Sequence, residues 1–127
     1  MQLTLEFLFI YGLLIHFLAD FGLQTHDQAV NKSTDSIWLF KHVGVYSLIW
    51  FIATLPLFGL PNALAFIFFT FMTHFITDYI TSRVGKPFWE KKDMHNGFVV
   101  VGFDQLVHFI TLFYTFKAIL WEMKITL

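Results

Sequence analysis

The chain has 127 residues, 57% of them hydrophobic, with 13% charged and a mean hydropathy of +0.65. A soluble domain of this length cannot hide so much apolar surface, whereas apolar runs of about 20 residues with few charges are what bilayer-crossing helices require. The net charge of −1 gives no global basic bias that would suggest nucleic acid, and the absence of cysteine excludes disulfides and thiolate metal sites.

The predicted fold is all-α: one polytopic domain over 1–127, a bundle of four transmembrane helices at about 3–20, 37–55, 62–82 and 97–121. The first helix begins near Leu3 and is interrupted only by Glu6 and His16. It lacks a basic leader and a small-residue cleavage site, so it reads as a retained helix rather than a signal peptide. A polar stretch, 24–36, follows. The second helix is expected to stop at the Pro56-Leu-Phe-Gly-Leu-Pro61 turn, after which the third begins. A charged loop, 83–96, precedes the fourth.

Charge sets the expected orientation. Lys32, Lys41, Arg83, Lys86, Lys91 and Lys92 fall at one end of the bundle, against Lys117 and Lys124 at the other. This predicts the first and third loops on the cytoplasmic side of the membrane, with both termini outside. Trp38 and Trp89 would mark the inner interface and Trp121 the outer, while Trp50 reads as packing. The aromatic and basic segment 86–92 reads either as headgroup-lying or as a solvated loop.

Three histidine–aspartate pairs stand four residues apart inside the apolar segments: His16/Asp20, His74/Asp78 and Asp104/His108. Four apart on a helix is one turn on one face. The order reverses in the third pair, whose helix runs the opposite way, so all three aspartates lie toward one membrane face with the histidines one turn deeper. His42 falls at similar depth. The hexapeptides His16-Phe-Leu-Ala-Asp20-Phe21 and His74-Phe-Ile-Thr-Asp78-Tyr79 suggest two pseudo-repeated helical hairpins.

An aspartate near the centre of a membrane helix costs about 2.5–3.5 kcal/mol, so three of them need a partner. A divalent cation answers that need, because carboxylate and imidazole lone pairs become bonds. The expected ligands are His16, Asp20, His42, His74, Asp78, Asp104 and His108, with His16, His74 and His108 at the core. Asp20, Asp78 and Asp104 are the candidate catalytic carboxylates, as further ligands or as the base. Such a set suits Zn²⁺, Fe²⁺ or Mn²⁺, as one or two ions. Gln24, Lys32, Tyr46 and Gln105 are candidates for orienting ligands or holding substrate. His26 and His95 read as loop histidines.

On these residues the chain resembles a family of small bacterial and phage membrane proteins, domain of unknown function 3307. The resemblance rests on His16-Phe-Leu-Ala-Asp20-Phe21-x-x-Gln24 with Lys32 downstream, His42 with Tyr46, His74-Phe-Ile-x-Asp78-Tyr79, and Asp104-Gln105-x-x-His108. It implies a compact helical membrane fold and brings no activity. It also implies a lysine three positions after Asp78; this chain has Thr81 there, which leaves such a lysine's role unfilled unless Arg83 substitutes.

The leading functional reading is a metal-dependent hydrolase acting at the cytoplasmic leaflet on a lipid-like or amphipathic substrate. Its partners would be the bilayer and that substrate, with no nucleic acid. Two other readings stay open: an ion, proton or metal transporter subunit, and an accessory protein whose His/Asp network only fixes packing. Homo-oligomerisation is compatible with each.

Overall fold

The computed structural model describes residues 4–123, so Leu3 and Lys124, both used in the sequence reading, lie outside the described residues. Helix α1, Leu5–Phe17, starts where the Thr4 hydroxyl accepts from the Phe7 amide. It runs into a π-helical turn, Leu18–Gly22, closed by the Leu23 amide on the Leu18 carbonyl at 2.9 Å. A short helix α2, His26–Asn31, follows, held by a reciprocal capping box between Thr25 and Gln28. Then come α3, Ser36–Glu90, and α4, Met94–Glu122. No strand occurs among the described residues.

Three helical segments are long and apolar enough to cross a membrane: Leu5–Gly22, Ser36–Glu90 and Met94–Glu122. The expected second and third helices are joined in α3, whose 55 residues would span about 80 Å if straight and hold His42 and His74 about 48 Å apart. Their Nε2 atoms are instead 3.1 Å apart. The reversal falls at Gly59, whose φ of 73° and ψ of 168° belong to a region essentially reserved for glycine. Pro56 and Pro61 flank the break and each lacks a backbone N–H, which weakens helical bonding on both sides. The expected turn is present, narrowed to one residue. The limbs 36–58 and 60–90 therefore lie side by side.

The predicted charged loop is mostly helix. α3 continues through Pro87 to Glu90, and only Lys91, Lys92 and Asp93 connect it to α4. Lys92 takes a φ of 57° there, and Asp93 caps α4 by accepting from the Asn96 amide and side chain. Those bonds hold the Asp93 carboxyl below its usual pKa.

Successive limbs pack antiparallel. Tyr11 donates to the Ala53 carbonyl, Trp50 meets Phe66, and Phe66 meets Phe116. Trp50, Phe58, Phe66 and Phe116 form an aromatic core at the Gly59 end of the molecule. Outward faces carry large apolar side chains such as Leu14, Phe17, Phe68 and Phe98. Contact with hydrocarbon makes such exposure ordinary, and close helix contact then depends on small residues. Gly97 is one: a Cβ there would stand 2.7 Å from the Trp89 ring.

The two hexapeptides of the suggested repeat differ in backbone. The first passes from α into π at Leu18, whereas the second lies wholly in regular helix.

Candidate metal centre

The π turn widens the helix where Asp20 sits, and Asp20 is buried there. The 36–58 limb brings His42 and Tyr46, the 60–90 limb brings His74, Asp78 and Thr81, and α4 brings Asp104, Gln105 and His108. All three i, i+4 pairs close: His16–Asp20 at 3.5 Å, His74–Asp78 at 3.5 Å and His108–Asp104 at 3.3 Å. Antiparallel packing then superposes the pairs, as the reversed order in α4 requires.

Two groups of ligand atoms form, each mutually within 4.8 Å: Asp20, His42, His74 and Asp78, and Asp20, Asp104 and His108. In the first, His42 Nε2 lies 3.1 Å from His74 Nε2, 3.1 Å from Asp20 Oδ1 and 3.3 Å from Asp78 Oδ2. His74 Nε2 lies 3.4 Å from Asp20 Oδ1 and 3.5 Å from Asp78 Oδ1. Ligand atoms at about 2.0–2.2 Å from one tetrahedral ion stand about 3.3–3.6 Å apart, and about 3.0 Å around an octahedral ion. The observed spacings fall in that range. One hydrogen between the two imidazoles satisfies that contact alone, whereas a cation among the four groups would engage one lone pair from each. The Nδ1 atoms of His42 and His74 are buried and make no hydrogen bond among the described residues. Their tautomers are therefore set by what lies at Nε2.

Charge points the same way. Asp20, Asp78 and Asp104 face one ammonium, that of Lys32, which donates to Asp78 Oδ2 at 2.8 Å. With neutral imidazoles, three carboxylates against one ammonium leave the cluster net negative, which favours cation binding. Burial alone would lower the Lys32 pKa, but Asp78, Asp20 and Asp104 together raise it above its usual value. Lys32 thus reaches into the cluster and is more than a charge at the membrane rim.

His16 stands apart from both ligand groups. The Tyr46 hydroxyl lies 3.1 Å from its Nδ1, and its Nε2 lies 2.8 Å from Gln105 Oε1. Gln105 Nε2 in turn donates to Asp20 Oδ2 and Asp104 Oδ2. Tyr46, His16 and Gln105 form one directed chain of hydrogen bonds ending on Asp20, so His16 orients a carboxylate. Sequence spacing alone cannot make that distinction, because all the histidines sit at like positions. Gln24 lies past the helix end and donates to the Asp20 carbonyl, closing the π turn rather than extending its face.

Two features were not visible in the sequence. The Thr81 hydroxyl donates to Asp104 Oδ1 at 2.5 Å, taking the position where the family resemblance implies a lysine. Arg83 does not substitute for that lysine: it bonds the Tyr79 carbonyl and Ser36. Lys32, from another element, supplies the ammonium to Asp78. Of the remaining expectations, Lys41 lies over the Trp38 ring, and His26 lines the cavity described next.

A cavity of about 860 Å³ reaches the cluster at Asp20, Lys32, Asp104 and Gln105. Phe21, Val30, Trp89 and Val100 give it apolar walls, between α2 and the paired ends of α3 and α4. Polar groups meet at one end of an otherwise apolar chamber, the arrangement of a small-molecule site.

Apolar helices closed around a buried His/Asp cluster, with a cavity leading to it, define a helical protein suited to a membrane, whose clustered ligand atoms could hold a metal ion. The chain belongs to the family described as Protein of unknown function (DUF3307), which matches residues 8–126. Neither a curated protein nor a solved structure matches the chain.

Proposed function

We propose that the protein is a membrane-embedded, metal-dependent hydrolase acting on an amphipathic substrate at the cytoplasmic leaflet of a bacterial plasma membrane. The observation that carries the reading is the approach of His42 Nε2, His74 Nε2, Asp20 Oδ1 and the Asp78 carboxylate at the spacing of ligands on one ion. A divalent cation there supplies Lewis acidity and lowers the pKa of a coordinated water to about 7. The chain's own groups do the rest. Gln105 donates to Asp20 Oδ2 and Lys32 to Asp78 Oδ2, which would orient both carboxylates toward a bound ion. The imidazoles and carboxylates nearby supply the proton acceptor that hydrolysis needs. The apolar walls of the cavity suit a substrate with a hydrocarbon body, its polar end at Lys32 and Asp104.

The topology belongs to the same proposal. Each limb of α3 is longer than the hydrocarbon thickness of about 30 Å, so α1, the two limbs and α4 make four crossings. The cavity end carries Lys32, Arg83, Lys86 and Lys91 and faces the cytoplasm.

A dead-ended site fits hydrolysis better than transport. Beyond the cluster, the hydroxyls of Thr54, Thr70 and Thr115 bond carbonyls of their own helices, and the aromatic core fills the space between them. The test is elemental analysis of detergent-purified protein, together with hydrolysis of phosphate esters and amides of long-chain alcohols and amines in mixed micelles. Stoichiometric zinc, iron or manganese is expected, with hydrolysis abolished by chelator or by His74→Ala and restored by added metal only in wild type. Protein that takes up no divalent ion, even when supplied with excess, would overturn the reading.

A further inference from the structure

The geometry points to a centre of two divalent cations bridged by the Asp20 carboxylate, and we propose that the second ion is held by Asp104 and His108. The inference rests on the metal-binding reading above and concerns its nuclearity. Asp20 belongs to both ligand groups, and its two oxygens face different neighbours. Oδ1 looks toward His42 and His74, while Oδ2 looks toward Gln105 and the side of Asp104. A carboxylate placed this way spans two ions.

The imidazoles support the same arrangement. His74 and His108 stack with ring centroids 4.2 Å apart and planes only 15° from parallel. His74 Nε2 faces the first group, and His108 Nε2 stands between the two, 2.9 Å from Asp78 Oδ1 and 3.3 Å from Asp104 Oδ2. Two-metal sites hold their ions about 3.5–4 Å apart, close to the offset of these two rings. Side-by-side imidazoles thus offer one nitrogen to each of two neighbouring ions.

Between Asp20 Oδ2 and Asp104 Oδ2 stands the Gln105 amino group, bonded to both at 2.9 and 3.1 Å. It places partial positive charge where the second cation would lie; with that ion bound, the amide would give up these two bonds and the ion itself would hold Asp20 Oδ2. Thr81 fixes the other oxygen of Asp104, so Oδ2 stays aimed at the site.

Manganese supplies the probe. Titration of metal-free full-length protein in detergent, followed by electron paramagnetic resonance, is expected to saturate at two Mn²⁺ per chain with the spectrum of a coupled pair. Asp104→Asn should bind one Mn²⁺ with an isolated six-line spectrum, because the first group is intact. Saturation of the wild type at a single uncoupled ion would overturn the two-ion centre while leaving the hydrolase proposal standing. A coupled pair persisting in Asp104→Asn would overturn the assignment of the second site. If that variant does not fold, the wild-type titration decides alone.

Discussion

Lys32 shows how one side chain can change meaning between sequence and structure. Its position near a membrane rim is the ordinary place for an orienting cation, yet its Nζ reaches a carboxylate that is almost wholly buried. Removing one partner of such a pair leaves the other charge uncompensated, at a cost of about 3–5 kcal/mol. Lys32→Met should therefore lower the thermal stability of the metal-free protein by that amount, and saturating Mn²⁺ should recover most of it. Melting curves with chelator and with metal check this; equal destabilisation in both would contradict a cation beside Asp78. The pH dependence has a definite sign. A lysine pKa raised by folding contributes its full stability below the unfolded value and loses it as pH rises through the folded one. Lys32 therefore adds no pH dependence near neutrality, and its contribution fades only in strong alkali.

At the scale of elements, two local departures from regular helix make the site. The π turn at Leu18–Gly22 sets Asp20 among the helices. The break at Gly59 folds α3 so that His42 meets His74. A side chain at Gly59 meets open space, so any penalty there comes from backbone conformation alone. Gly59→Ala should cost about 1–3 kcal/mol for that conformation, measured by thermal or denaturant unfolding in detergent. A neutral effect would mean that the limbs reverse without the strained backbone. The turn was legible as Pro-Leu-Phe-Gly-Leu-Pro, because proline and glycine act locally. The π turn was not, since a single extra residue in a helical turn leaves the apolar pattern of Leu18 to Gly22 unchanged.

For the whole molecule, the His/Asp cluster is buried at one end of the bundle and the aromatic core at the other, while large apolar side chains also face outward. The absence of cysteine makes topology directly measurable by single substitutions. Thr34→Cys, next to the cavity, should react with a membrane-impermeant maleimide only after the inner face is exposed. Leu60→Cys, beside the Gly59 reversal and exposed, should react from outside in intact spheroplasts. Labelling of both from one side would overturn the proposal that each limb of α3 crosses the membrane.

The apolar composition, the all-helical fold and the pairings His74/Asp78 and Asp104/His108 are legible in the sequence, whereas the four separate helices it suggests become three long apolar ones. Hydropathy and i, i+4 spacing are properties of short segments, and one helical turn fixes which residues share a face. Tertiary structure alone decided which imidazoles become neighbours in the ligand groups and which one orients a carboxylate. His16 and His42 read alike as apolar-helix histidines, and only tertiary packing gives Gln105 of α4 to the first and Asp20 of the π turn to the second. It likewise delivered Lys32 to Asp78 and Thr81 to Asp104. Those contacts join residues 46 and 23 positions apart, and no local periodicity encodes them.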